Sequence, residues 1–592
     1  MRVGVDAGGT FTDLVAADGR STKVPSTPDD PGRAVRDAVS ALGTPIDELA
    51  HGTTVATNAL LERRGAVVAL VTNTGFEDVL EIARQDRPSL YDPFADRPEP
   101  LVPRALRFGV PGRLGADGTE LMPVDAAAVP PLPADVASVA VCLLHADLSD
   151  VHERAVVDEL RGRGIDVCSS SEVSPEFREY ERTLTTVVNA YLRPVCRSYL
   201  RALDALAGEV LVLSSAGGLL PVAVAAELPA ALLLSGPAGG VRAGAEVAAA
   251  NGFDDCVTFD MGGTSTDVCL VQGGLPQPAP GRVVGGFPIR MPSLDVHTIG
   301  AGGGSIARID PGGALAVGPR SAGAVPGPAC YCRGGTEPTV TDADLLLGRI
   351  PGDAGFPGIG ALDRAAASDA CAAAGVDPVG VVAVVDAAMV QAIRAVTVER
   401  GVDPSRLALV AFGGAGPLHA CALSEALGVP AVVVPPRAGV LSAAGILAAP
   451  VERELVRSWP GLADHDGLAD ALDALATEAA GLVGAASVVT TAVDCRYAGQ
   501  SHELTVASVE AFAAEHLRRN GHDRPGDAVE VVALRARASV PSPISVASLP
   551  PVTRSGAVGP AVLAESDCTI WVPPGWAAEP GALGALVLRR RA

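Results

Sequence analysis

Residues 6–15 read Asp6-Ala7-Gly8-Gly9-Thr10-Phe11-Thr12-Asp13-Leu14-Val15, and residues 260–269 read Asp260-Met261-Gly262-Gly263-Thr264-Ser265-Thr266-Asp267-Val268-Cys269. Two aspartates, two glycines and two threonines are identical between the copies at one constant offset. Each copy follows a strand-like run, Val3 to Val5 or Val257 to Phe259, and leads into another, Leu14 to Ala17 or Val268 to Val271. Two such runs joined through Gly-Gly predict a β-hairpin. Two copies predict a chain built from duplicated halves.

The residue types at the bend point to phosphate. Gly8, Gly9, Gly262 and Gly263 carry no Cβ, so backbone N–H groups can close on an anion. Thr10, Thr12, Thr264 and Thr266 add hydroxyl donors. Asp6 and Asp260 cannot hold phosphate directly, because like charges repel; an acid in that place holds Mg²⁺ or orients a nucleophile. A Gly-Gly-Thr turn alone is commonplace, and the specificity comes from its repetition together with both aspartates. Further glycine-rich turns lie at 234–240, at 299–305 with Gly302 and Gly303, and at 410–417 with Gly413, Gly414 and Gly416. The last follows the apolar run Leu407 to Val410 and opens a helical pattern, which places a helix N-terminus and bare backbone at a nucleotide edge.

Composition narrows the field. The 592 residues are 48 % apolar and 19 % charged, enough for a large core. The net charge of −23 disfavours nucleic acid as a partner. Lys23 is the only lysine and is followed by Val24, so no Gly-Lys-Ser/Thr phosphate loop exists. Eleven cysteines without a Cys-x-x-Cys pair give no zinc-ribbon or redox motif and fit a reducing compartment. No signal-like leader and no uninterrupted apolar stretch of about 20 residues is read, so a cytoplasmic chain without a membrane span is expected.

Alternating strand-like and helix-like runs predict an α/β fold of two duplicated halves around a cleft. Residues 1–175 form the first half and 206–450 the second. A helix pair around Pro194, over 176–205, is expected to connect them. Residues 451–592 lose the glycine-rich turns and are expected to form a separate α/β appendage.

The chain resembles the hydantoinase A/5-oxoprolinase family, which also includes subunits of acetone and acetophenone carboxylases. The stretches responsible are Val5 to Asp13, His51-Gly52-Thr53-Thr54-Val55-Ala56-Thr57-Asn58-Ala59, Ser174 to Arg182, Asp260 to Asp267, His297 to Ser305, Gly327 to Tyr331 and Gly413 to His419. Arg496-Tyr497 and Gly499-Gln500-Ser501 extend the likeness into the tail. The resemblance implies the actin/sugar kinase/Hsp70 fold, with ATP and Mg²⁺ between two ribonuclease-H-like halves. It implies phosphorylation of a carbonyl oxygen on a small-molecule substrate, either a cyclic amide (hydantoin, 5-oxoproline or lactam) or a ketone in the carboxylases. It also implies a hydantoinase B-like partner in a hetero-oligomer. An end at residue 592 implies a shortened C-terminal region, and Cys332 stands where the family pattern implies Gly.

Asp6 and Asp260 are the expected metal-holding and catalytic acids, with the hairpin backbone, the threonines and Asp13 as the ATP-binding set. Asp295 and His297, two residues apart before the 300–304 loop, are candidates for a substrate or metal role; a loop-fixing hydrogen bond is the plain alternative. His51 and Thr53 precede a helix-like run and are candidates as well, although Thr53 could simply cap it. His419, His502 and Glu503 are weaker candidates, with packing the simpler role. An ATP-driven reactivating chaperone or a sugar kinase of the same fold remains the rival reading.

Overall fold

Both predicted hairpins form. The computed structural model describes the chain apart from residues 28, 280, 354, 357, 358, 485 and 592. Strand Arg2–Ala7 pairs antiparallel with Phe11–Ala16, which pairs with Ser21–Pro25; Glu48–Thr53 and then Glu209–Leu213 join in parallel on the other side. The second half repeats this order. Cys256–Met261 pairs antiparallel with Thr266–Gln272, which pairs with Leu275–Pro276, while Ala408–Phe412 and Ala431–Val434 continue in parallel. Each sheet is thus an antiparallel meander prolonged by two parallel strands, with Val3, Val5, Val257 and Phe259 in its core.

The halves meet through two helices. Gly236–Ala250 and Leu441–Leu447 cross so closely that a Cβ on Gly445 would stand 1.9 Å from the carbonyl oxygen of Gly239. Glycine is required there to let the backbones touch. A four-stranded parallel sheet, Val167–Ser169, Ser138–Val141, Val68–Asn73 and Arg107–Val110, forms a satellite of the first half with its own core around Val71, Val141 and Leu160.

Sheet membership departs from the expected boundaries in three ways. Strands Glu209–Leu213 and Leu219–Pro221, placed by sequence in the second half, belong to the first sheet. The expected appendage over 451–592 is threaded through both sheets. Val451–Ser458, Val488–Tyr497, Leu504–Val506 and Val529–Val540 extend the first, and Ala557–Val558, Trp576–Pro580 and Leu586–Arg590 extend the second. The expected helix pair is a single helix, Glu179–Asp204, running through Pro194. It does not bridge the halves but packs in the first core through Val187, Val188 and Leu192. Burial of that face outweighs the proline's missing N–H.

Pro378–Val396, continued by a short turn to Arg400, is a helix of sufficient length and apolar content to cross a membrane. It packs Val381, Val385, Met389 and Ile393 into the core of the second half.

Candidate functional site

In the first hairpin Asp6 stands opposite Asp13, and in the second Asp260 stands opposite Asp267. The bends close alike: the Gly8 N–H donates to Phe11 O at 3.0 Å, and the Gly262 N–H to Ser265 O at 3.1 Å. They also face each other. A Cβ on Gly263 would lie 2.7 Å from Thr10 Oγ1, and one on Gly9 would lie 3.7 Å from Thr264 Oγ1. Between them opens a cavity of about 640 Å³, within the range of small-ligand sites.

Strand alternation sorts the predicted ligands. Phe11 and Asp13, and likewise Ser265 and Asp267, face the cavity, so Thr12 and Thr266 turn away. Thr12 shares a hydrogen bond with Ser26 at 3.1 Å, and Thr266 donates to Ala301 O at 2.6 Å. They brace the bends, whereas Thr10 and Thr264 line the cavity with Gly8, Gly9, Gly262 and Gly263. The 300–304 loop is a buttress. The Gly303 N–H donates to Gly262 O at 3.0 Å and the Gly304 N–H to Gly263 O at 2.7 Å, and a Cβ on Gly302 would strike the Gly263 backbone at 2.8 Å. Gly303 and Gly304 reach the cavity wall. Gly413, Gly414 and Ala415 line the cavity, and Gly416 begins the helix Gly416–Leu427 behind them.

Four carboxylates, Asp6, Asp13, Asp260 and Asp267, converge on this space. Burial, then Asp13 and Asp260, holds the Asp6 carboxyl well above the carboxylate range. Burial and Asp267 push Asp260 up to about 7, and burial pushes Asp267 up to about 6. Asp6 Oδ1 is buried without a hydrogen-bond partner among the described residues. Lys23 Nζ lies 2.7 Å from Asp13 Oδ1. An excess of buried carboxylate with an orphaned oxygen is the donor set that a divalent cation satisfies. The bare amides and hydroxyls alongside suit phosphate oxygens.

Several predicted residues lie elsewhere. His51 is fully buried, with Nε2 2.8 Å from the Tyr199 hydroxyl. It stands in the middle of its sheet, between Val5 and Val212, so its side chain enters the core rather than the cavity. Thr53 reaches the cavity; its hydroxyl also accepts the Val55 N–H at 3.2 Å. Asp295 pairs with Arg400, and neither Asp295 nor His297 lines the cavity. The same alternation explains why: Thr298, the next residue, turns inward and donates to Asp267 Oδ1 at 2.5 Å. His419 is buried between Asp386, at 2.7 Å, and Asp344, at 3.2 Å. Burial opposes its charge, but the two aspartates raise its pKa to about 10. Glu503 is tied to Arg178 and Arg290. Cys332 has φ of 53°, the left-handed conformation that accounts for an expected glycine.

Lys23, Asp267, Thr298 and Ser442 also line the cavity, although the sequence did not single them out as site residues. Asp267 had a signal, being one of the six repeated identities; the others depend on cross-strand and tertiary contacts.

The buried His51 has a measurable consequence. Burial lowers its pKa to about 4, so the folded chain refuses a proton that the unfolded chain accepts below about 6.5. This stabilising contribution is complete above that pH and is lost as pH falls toward 4. The thermal midpoint of His51→Gln is expected to fall less steeply over that window than that of wild type. Equal acid slopes in a thermal-shift titration would contradict it.

A duplicated α/β scaffold whose glycine-rich hairpins face each other across a carboxylate-lined cavity defines the actin-like ATPase class of fold. The chain belongs to the hydantoinase/oxoprolinase family: the family's N-terminal-region model matches residues 2–164, and its hydantoinase/oxoprolinase model matches residues 182–455. It is 36 % identical to caprolactamase subunit alpha of Pseudomonas jessenii, covering 97 % of each chain. It is 34 % identical to the acetophenone carboxylase gamma subunit of Aromatoleum aromaticum, over 75 % of this chain and 67 % of that one. The crystal structure of the ATP-dependent caprolactamase from Pseudomonas jessenii superposes with a TM-score of 0.85 at 33 % identity, covering the whole of both chains.

Proposed function

We propose that this chain is the ATP-binding subunit of an enzyme that phosphorylates the carbonyl oxygen of a cyclic amide to drive ring opening. The observation supporting this most directly is the pair of opposed hairpins that bring four half-buried aspartates to one cavity. The likeness to a caprolactamase alpha subunit over nearly the full length of both chains supports the cyclic amide.

The residues fit ATP with Mg²⁺. The amides of Gly8, Gly9, Gly262 and Gly263 and the hydroxyls of Thr10 and Thr264 are suited to the phosphates. Asp6 and Asp260 are suited to the metal, directly or through water, and the 413–415 turn to adenosine. The bound nucleotide and metal supply the phosphoryl group and the charge neutralisation that its transfer requires. An amide carbonyl oxygen is a poor nucleophile and an amine a poor leaving group, so the protein's task is to align that oxygen and keep water away. The facing bends, one from each half, accomplish both when the halves close, because neither alone surrounds the phosphates.

The chain alone is expected to show weak or no ATPase activity and no ring opening, and to gain both with a hydantoinase B-like subunit. Glu565, Asp567 and Cys568, the described residues close enough together to share a metal, line the same cavity. Glu565 is paired with Arg554, and Asp567 accepts the Gly439 N–H, which leaves them structural roles. The test is ADP release with hydantoins, 5-oxoproline, lactams and ketones, with and without the co-purified second subunit. Complete hydrolysis of a cyclic amide by the single chain would overturn the two-subunit reading. Stimulation by ketones alone would replace the cyclic amide with the carboxylase chemistry that the acetophenone carboxylase relative favours. ATP hydrolysis indifferent to every carbonyl compound, with the partner present, would favour the chaperone reading.

A further inference from the structure

The duplication is broken at one cross-strand position, and the break is in charge. The second strand of each hairpin has an antiparallel partner beside its aspartate, Ser21–Pro25 in the first half and Val296–Ile299 in the second. In the first half the residue opposite Asp13 is Lys23; in the second half the residue opposite Asp267 is Thr298. Equivalent carboxylates therefore meet an ammonium on one side and a hydroxyl on the other.

Lys23 is an unusual residue to find there. The chain has 45 lysines and arginines, and Lys23 is its only lysine. It lies in the cavity wall, with Nζ 2.7 and 3.0 Å from the two oxygens of Asp13 and 3.0 Å from the carbonyl oxygen of Gly439, and 5.1 Å above the Phe11 ring. Two of these three acceptors are the oxygens of one carboxylate and the third is a backbone carbonyl, so one ammonium spends its three N–H donors on them. The contact with Gly439 also ties the first hairpin to the 438–442 turn, which lines the same cavity. Asp13 is thus balanced by a covalently fixed cation. Among the described residues, the side-chain partners of Asp260 and Asp267 are hydroxyls, Ser442 at 3.4 Å and Thr298 at 2.5 Å.

We propose that Lys23 is a positioning residue that acts as the fixed counter-ion of Asp13, and so keeps the nucleotide's divalent cation off that carboxylate and on the side of the cavity where Asp6, Asp260 and Asp267 stand. This rests on the nucleotide and metal reading above. It adds Asp267 to the metal-holding set and keeps Asp13, paired with Lys23, out of it.

Mn²⁺ is the probe, read by the loss of its free electron-spin-resonance signal on titration with the full-length chain and a non-hydrolysable ATP analogue. Wild type is expected to hold one Mn²⁺ per chain. Asp267→Asn is expected to weaken it by about tenfold or more, and Asp13→Asn by less than about threefold, since that oxygen set already has its cation. Thr298→Lys, which installs the first half's arrangement in the second, is expected to abolish Mn²⁺ binding. Lys23→Met is expected to raise the stoichiometry toward two. The asparagine pair preserves side-chain shape, so it decides the matter even if Lys23→Met fails to fold. Equal losses in Asp13→Asn and Asp267→Asn, or unchanged binding in Asp267→Asn, would overturn the inference while leaving the ATP reading standing. A wild-type chain that binds neither the analogue nor Mn²⁺ would overturn both.

Discussion

Asp260→Ala is expected to reduce ATP-dependent turnover by about 10²-fold or more while leaving the ligand-free chain folded. The size follows from removing one preorganised electrostatic contact in a water-poor site. The preserved fold follows from the carboxyl's own environment. Burial and the neighbouring Asp267 push Asp260 up to about 7, so the folded chain bears a cost for its ionised form. Alanine relieves that cost and leaves the strand pairing with Ala408–Phe412 intact. Coupled ADP-release assays beside thermal unfolding check both halves of the expectation. Wild-type turnover in the variant would remove Asp260 from the site.

Gly414→Val is expected to raise the KM for ATP by about tenfold or more, with little change in kcat. A Cβ on Gly414 meets no atom within 4 Å, and the residue lines the cavity, so valine fits the folded chain and occupies space meant for ligand. Gly413, one residue earlier, would not serve as a test. Its φ is 79°, and a Cβ there would lie 2.3 Å from Asp260 Oδ1, so any side chain would damage the fold and the carboxylate together. Thr10→Ala and Thr264→Ala should behave oppositely, lowering kcat by about tenfold or more with a smaller change in KM. Their hydroxyls stand at the facing bends, where phosphate charge is rearranged during transfer. Steady-state constants for the three variants separate the classes. Unchanged ATP affinity in Gly414→Val would move adenosine away from the 413–415 turn, with the 300–304 loop as the next candidate.

Much of the fold was legible because its decisive signals are local. A hairpin is written in two short apolar runs and a Gly-Gly bend, and the six residues shared by Asp6–Asp13 and Asp260–Asp267 made the duplication visible without any long-range contact. The glycine-rich turn at 413–416 was equally readable, since strand, bare backbone and helix follow one another along the chain. The cavity-facing Thr10 and Thr264 came with the motif. Thr12 and Thr266 came with it too, but the parity of the strand turns them away from the cavity.

By itself, then, the sequence determined the α/β duplication, both acidic hairpins and the phosphate-suited backbone, because each is encoded within about ten residues. Only the tertiary structure decided which polar groups face the cavity and what balances them. His51 sits two residues before Thr53 on one strand, yet the packing of the Tyr199 helix draws it into the core. Asp295 and His297 look outward because Thr298 looks in. Lys23 meets Asp13, and the tail strands from Val451 to Arg590 complete both sheets, through pairings between segments far apart in the chain. Local pattern fixes which elements form; register and burial, set across hundreds of residues, fix where each side chain points.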